Sequence, residues 1–359
     1  MGAIIVKHLL SLSAFCTLSL LNAAEQKPNV LLILVDDFGQ QDTSLSGSKF
    51  YETPNIDRLA EEGMWFTSAY SAHPVCSPSR AAILTGKNPC RSEVNITDWI
   101  PGSRTRKPKL ITPKINHQLP LKEVTIAETL KKNGYSTFSI GKWHLGGEGY
   151  LPENQGFDVN VGGWERGSPI GGYYYPWKNP KLPKVSKGTY LTDYLTTRAI
   201  DLIKKRDKTK PFFMYMSFYT VHTRLEPCKK YFEKFKRKLS KLPKSESPEV
   251  ISEKFGAKTK GRQDNPVYAS MVYAMDVNVG RLLAELEKEG IDNNTIVIFT
   301  GDNGSLTTMK KNAGFTSCLP LRAGKGWTYE GGIRVPFIVK APNVKPGRKS
   351  DTPVVGTDI

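Results

Sequence analysis

The sequence predicts an α/β protein: a large, mostly parallel mixed sheet flanked by helices. Three observations carry that expectation. Five short, continuously apolar runs read as strands buried on both faces, namely Val30–Val35, Ser136–Ile140, Phe212–Phe218, Thr295–Phe299 and Val335–Val339. Segments with helical apolar spacing lie between them. Charged or nucleophile-bearing residues follow four of the five runs. Ile56, Leu59 and Ala60 form the first helical stripe and stop at Gly63. Ile126, Ala127 and Leu130 stop at Gly134, and Met271, Ala274, Leu282, Leu283 and Leu286 stop at Gly290. Ala81 to Thr85 reads as a helical turn closed by Gly86. Each glycine is expected to end its helix in the left-handed conformation.

The strand ends hold the chemistry. In open α/β sheets ligands bind beyond the carboxyl ends of the strands. There the first run delivers Asp36-Asp37 and the second Gly141-Lys142-Trp143-His144. The third delivers Thr220-Val221-His222 and the fourth Gly301-Asp302-Asn303-Gly304. Asp36, Asp37 and Asp302 together repel one another unless a cation is present. Their oxygen donors, with that of Asn303, select a hard ion, Ca²⁺ or Mg²⁺, over Zn²⁺. Successive strand residues face opposite ways, so Asp36 and Asp37 share an ion only if the chain turns after Val35, and Gly39 is the residue expected to allow it. The competing reading of Asp36-Asp37 is a helix N-cap.

Of the 359 residues, 39% are apolar and 24% charged, an ordinary globular composition that excludes wholesale disorder and a disulfide-knot chain. Lys and Arg number 51 against 34 acids, a net +17 that points to an anionic partner. Twelve Lys/Arg against four acids fall in residues 228–262, read as a basic insertion that is either a solvated loop or a polyanion-docking surface. No nucleic-acid motif accompanies it, so nucleic acid is not expected as a partner. Residues 156–178, with Trp164, Tyr173, Tyr174, Tyr175 and Trp177, suit a loop lining a cleft. Lys7 and His8 precede the apolar run Leu9–Leu21, and Asn22-Ala23-Ala24 supplies small residues for cleavage. Residues 1–24 therefore read as a signal peptide, too short to span a bilayer, with export to the periplasm or outside the cell and no stable membrane insertion afterwards. Cys76, Cys90, Cys228 and Cys318 remain, enough for one or two disulfides at most and without zinc-like spacing.

Cys76 stands just ahead of the expected helix turn at Ala81, where backbone N–H groups favour an anion. On its own it reads either as a thiolate nucleophile or as an inert buried cysteine. Cys76-Ser77-Pro78-Ser79-Arg80 followed by Leu84-Thr85-Gly86 resembles the sulfatase signature, in which the cysteine is oxidised to formylglycine. A second sulfatase pattern is matched by Gly134–His144. The resemblance runs from Lys27 to the C-terminus, through Thr53–Asp57, Gly324-Lys325-Gly326 and Glu330–Gly332. It implies an alkaline phosphatase-like fold over residues 25–359. Cys76, as formylglycine, is implied to be the nucleophile and a metal ligand, with Asp36, Asp37, Asp302 and Asn303 completing a site for Ca²⁺, Mg²⁺ being the substitute. Arg80 is implied to hold the formylglycine, and Lys142 and Lys325 to contact sulfate. His144 is implied to act as the base that expels sulfate, and His222 as the proton donor to the leaving alcohol.

The implied activity is hydrolysis of a sulfate ester, with a sulfated carbohydrate as substrate and a formylglycine-generating enzyme as maturation partner. Two alternatives remain: a phosphodiester or phosphonate ester hydrolase of the same superfamily, and a non-catalytic protein that binds sulfated glycans. Sulfatases continue into a smaller C-terminal domain, so that subdomain is expected to be missing from a chain ending at Ile359. His73 reads as a loop residue, and Asn95-Ile96-Thr97 fits a glycosylation acceptor.

Overall fold

The computed structural model describes residues 27–89, 116–243 and 246–359. The expected signal segment, Cys90 and the Asn95 triplet lie outside them. An eight-stranded sheet contains β1 (Asn29–Val35), β2 (Met64–Phe66), β3 (Ser136–Gly141), β4 (Val159–Val161), β5 (Phe212–Phe218), β6 (Thr295–Gly301), β7 (Phe337–Lys340) and β8 (Arg348–Ser350). Their spatial order is β8-β2-β7-β6-β1-β5-β3-β4. β1 lies centrally and pairs parallel with both β5 and β6. β7, the fifth expected strand, is antiparallel to β6 and β2, which makes the sheet mixed. The strands β2, β4 and β8 are three residues each, too short to stand out as apolar runs, and β4 and β8 also carry polar residues.

Both faces of the central strands are covered. Leu31, Ile33 and Val35 face one core with Met214, Met216 and Phe218, whereas Leu32 and Leu34 face the other with Phe213 and Tyr215. That burial on both sides is why these strands read as continuous apolar runs. The helices are α1 (Pro54–Glu62), α2 (Cys76–Thr85), α3 (Ile126–Lys132), α4 (Leu191–Lys205), α5 (Lys229–Leu239) and α6 (Pro266–Lys288), with a last short turn at Glu330–Ile333. α6 lays Met271, Val272, Met275, Val279 and Leu282 on the first core. Among the described residues no helix is long and apolar enough to cross a membrane.

Gly86, Gly134 and Gly290 adopt φ of 65°, 89° and 67°, as their position after a helix predicts. Gly63 does not: its φ is −132°. Its glycine serves a close approach instead, because a β-carbon there would lie 2.5 Å from the Val339 carbonyl oxygen of β7. The basic stretch is not merely a loop. It folds into α5, which buries Phe235 in the first core, followed by a strand pair, Val250–Ser252 and Lys258–Lys260.

Candidate active site

All ten residues singled out by the sequence fall among the described ones, and their side chains converge at the carboxyl edge of β1, β3, β5 and β6. The end of β1 is clamped on both sides. Asp36 N donates to Thr220 O at 3.0 Å, Val221 N donates back to Asp36 O at 2.8 Å, and Asp302 N donates to Val35 O at 3.0 Å. The turn that lets both aspartates face one site occurs at Asp37 itself, whose φ is 55°, and not at Gly39. Gly39 is required for another reason: a β-carbon there would lie 2.5 Å from Ser305 Oγ. Gly141 turns the chain after β3 at φ 98°, with its α-carbon so close to Ser217 O that no side chain fits, and Lys142 follows inward.

The cysteine helix begins five residues earlier than Ala81. Cys76 is its first residue, with Val75 as an extended cap, because Pro78 and the two serines are well tolerated in a first turn that needs no intrahelical donors. Cys76 is therefore buried in the helix N-terminal turn, and its Sγ lies 3.4 Å from His144 Nδ1. Ser77 Oγ donates to His144 O at 3.0 Å. Cys76, Cys228 and Cys318 are free thiols.

Three acids are matched by three bases. Arg80, fully buried, sends Nε and Nη2 to Asp302 Oδ2, both at 2.8 Å, and Nη1 to Lys142 O and Ser217 Oγ. Lys142 Nζ lies 2.7 Å from Asp36 Oδ2, and Lys325 Nζ lies 2.7 Å from Asp37 Oδ1. Each of the three carboxylates is thus paired with one of the protein's own cations. Oxygen atoms are nevertheless left over. Asp36 Oδ1 and Asn303 Oδ1 are buried without a hydrogen-bond partner, a costly condition in a protein interior. Ligand atoms of Asp36, Cys76 and Asp302 lie within 4.8 Å of one another, as do those of Asp36, Asp37 and His222. The orphaned oxygens of Asp36 and Asn303, beside the carboxylates of Asp37 and Asp302, fit a hard divalent cation.

Burial raises Asp36 well above the usual carboxylate range, with Lys142 opposing and Asp302 and Asp37 adding to the rise. Asp37 is equally buried, yet Lys325, then His222 and Lys142, hold it well below that range. His222 donates Nδ1–H to Thr223 O at 2.7 Å and turns Nε2 toward Asp37 Oδ2, 3.8 Å away. Burial, with Lys325 and Lys142, lowers its pKa to about 3 despite Asp37. His73, read as a loop residue, precedes α2 and accepts from Val75 N at 3.3 Å, and burial lowers its pKa to about 4.

Several supporting residues escaped the sequence reading. Tyr173 Oη donates to Tyr219 O and His222 O at 2.7 and 2.9 Å, so this aromatic is a buried prop and does not line the cleft. Asp42 accepts from Ser305 Oγ, Tyr268 Oη, Thr316 Oγ1 and Gly39 N behind the Asp37 turn, and burial lifts it to about 6. Their partners are mostly remote in the chain, so no local pattern marks them. A cavity of about 280 Å³, lined by Ser77, His117, Gln118, His144 and Glu165, opens over the cysteine helix.

Residues 28–359 match the Sulfatase family model. The chain belongs to the sulfatase family. Over 344 residues this sulfatase is 34% identical to the N-acetylgalactosamine-6-sulfatase of Mus musculus, which covers 89% of the chain and 58% of the mouse protein. A Formosa agariphila sulfatase is 34% identical over 383 residues, covering 89% of the chain and 64% of that protein. The crystal structure of Ps i-CgsB in complex with k-i-k-neocarrahexaose superposes with a TM-score of 0.72 at 32% identity, covering 93% of this chain and 70% of that one. The chain thus spans about three fifths of the length of the curated relatives it matches. The expected α/β fold with a large mixed sheet is the fold of these sulfatases.

Proposed function

We propose that the protein hydrolyses sulfate esters of a carbohydrate alcohol, with formylglycine formed from Cys76 as its nucleophile. The observation that carries the reading is Cys76 in a helix N-terminal turn, beside His144 and within a buried ring of three carboxylates and three cations. Asp36, Asp37, Asp302, Asn303 and the modified residue 76 would hold Ca²⁺ or Mg²⁺, whose chemistry is to polarise sulfate oxygen and favour an ionised hydroxyl on the hydrated aldehyde.

The chain's own residues supply the rest. Lys142 and Lys325 bind the sulfate, an anion that would otherwise repel a nucleophile. A lysine about 4 Å from such a charge contributes roughly 1 kcal/mol in water and about 4 kcal/mol at an effective dielectric near 20, so burial makes the pair effective. Arg80 fixes Asp302 and the carbonyl of Lys142, holding the site in register. His144 takes the proton when the aldehyde is restored and sulfate leaves. His222 gives a proton to the leaving alcohol. Burial beside Lys325 and Lys142 disfavours its charged form, and an anionic ester in the site shifts that balance toward imidazolium.

The names of the relatives support a carbohydrate: the mouse protein is an N-acetylgalactosamine-6-sulfatase, and Ps i-CgsB is in complex with k-i-k-neocarrahexaose. We likewise infer export, and maturation by a formylglycine-generating enzyme. Protein co-produced with that enzyme should yield a Cys76 peptide lighter than the thiol by the difference between CH₂SH and CHO, and should release sulfate from an aryl sulfate. An unmodified Cys76, or strong preference for an aryl phosphodiester over the sulfate, overturns the reading.

A further inference from the structure

A second and larger cavity, of about 610 Å³, lies between the segment after Gly167 and the turn after His222. Its size is that of a small-ligand site, roughly 300–1,000 Å³. Pro169, Ile170 and Leu225 give it an apolar side, and Lys178, Arg224 and Glu226 a charged one. The acid is already engaged, since Glu226 Oε2 accepts from Tyr173 N at 2.7 Å. Neither the Lys178 nor the Arg224 side chain has a hydrogen bond or ion pair among the described residues, and both are exposed. Two unpaired cations and three apolar residues lining one cavity suit an anionic group carried on a sugar ring, because a guanidinium fork matches sulfate and carboxylate oxygens and the ring's C–H face needs apolar contact.

The cavity is joined to the reacting groups by its own backbone. Gly167, which leads into it, is packed on the His144 ring so closely that a β-carbon would lie 2.4 Å from Cε1. Arg224 stands two residues beyond His222, whose carbonyl accepts the Tyr173 hydroxyl. The two segments that bound the cavity are therefore the ones that adjoin His144 and His222.

We propose that this cavity is a second anion subsite, taking through Arg224 and Lys178 the sulfate or carboxylate of the sugar adjoining the one being desulfated, with Ile170 and Leu225 beside it. The proposal rests on the sulfatase reading above and specifies its substrate: an oligosaccharide anionic on neighbouring sugars.

Binding of heparin-, chondroitin- and carrageenan-derived tetrasaccharides to the full chain carrying Cys76→Ala, measured by titration calorimetry, tests it apart from turnover. The Arg224→Ala/Lys178→Ala pair should weaken the tightest of these ligands by about tenfold or more, whereas Lys236→Ala/Arg237→Ala on exposed α5 should change it less than about twofold. Carboxyl-reduced versions of the heparin- and chondroitin-derived tetrasaccharides assign the anion: if reduction abolishes the sensitivity to Arg224 and Lys178 it is a carboxylate, and if not, or if the carboxyl-free carrageenan ligand shows that sensitivity, a sulfate. In the matured enzyme the pair should lower kcat/KM on the oligosaccharide about tenfold more than on an aryl sulfate. No tetrasaccharide binding, no effect of the pair, or an equal effect of the α5 pair overturns the subsite. Binding that depends on Arg224 in a protein that releases no sulfate sinks the catalytic reading instead.

Discussion

At the scale of single residues, position matters more than identity in this site. Gly167 bears no reactive group, yet it is the wall against which His144 lies. Its Cα leaves no room for a β-carbon, which would meet Cε1 at 2.4 Å and Nδ1 at 2.5 Å. Gly167→Ala must displace the imidazole from its place beside Cys76 or move the loop that carries residue 167, and a displacement of about 1 Å costs on the order of 10²-fold in rate. We expect kcat on an aryl sulfate to fall by that order while the melting temperature stays close to the parent's; an unchanged kcat would refute the packing argument. Arg80 illustrates the opposite case, a residue whose charge holds others in place. Arg80→Met strands Asp302 and Asp36 in a dry interior, and breaking a buried pair in this way costs about 3–5 kcal/mol. Urea denaturation should show a loss of that size, and a loss below about 1 kcal/mol would mean that the ring of charges does not hold the site together.

At the scale of elements, α1 depends on a carboxylate from another helix. Asp276 on α6 accepts from Asn55 N at 3.0 Å, Ile56 N at 2.9 Å and Asn55 Nδ2 at 2.8 Å, so the donors left open at the start of α1 are capped in trans. Burial, opposed by those hydrogen bonds, raises the Asp276 pKa to about 6. The unfolded value is about 3.9, so between about pH 4 and 6 the folded chain holds a proton that the unfolded chain has released. Stability from this group is then greatest at the acid end of that window, declines as pH rises through it, and is level above it. Asp276→Asn removes the titration. The stability difference between variant and parent, followed by urea denaturation from pH 4.5 to 7, should shift in the variant's favour as pH rises, and a difference independent of pH would disprove it. The sequence exposed α1, α3 and α6 by their stripes and terminal glycines. It concealed the extent of α2, because Cys-Ser-Pro-Ser lacks an apolar period, and the role of Gly63, because close approach to β7 and a left-handed turn look alike in one dimension.

At the scale of the whole molecule, the sheet and the site were legible for the same physical reason. Strands buried on both faces must be apolar throughout, so the polar residues that follow them stand out, and β1, β3, β5 and β6 could be identified together with what they carry. Asp42, Tyr173 and Ser217 were illegible because they act through partners most of a sheet away in sequence. Part of the charge balance was hidden: the sequence did not show that the folded chain also brings Arg80, Lys142 and Lys325 onto the three acids. What still calls for a cation is the pair of orphaned oxygens, Asp36 Oδ1 and Asn303 Oδ1. A ligand that binds only the folded chain stabilises it by mass action, by about 2.7 kcal/mol at a hundredfold excess over its Kd. Millimolar Ca²⁺ added to chelator-treated protein should therefore raise the melting temperature by several degrees, reversibly with further chelator. Asn303→Ala keeps every acid–base pair but removes one orphaned oxygen together with the Nδ2 donor to Asp37 Oδ1, so its chelator-treated melting temperature should fall somewhat and its Ca²⁺-dependent rise should be much smaller than the parent's. Identical melting curves for the parent with Ca²⁺ and with chelator would mean that these oxygens serve no cation, and that the three internal bases alone complete the site.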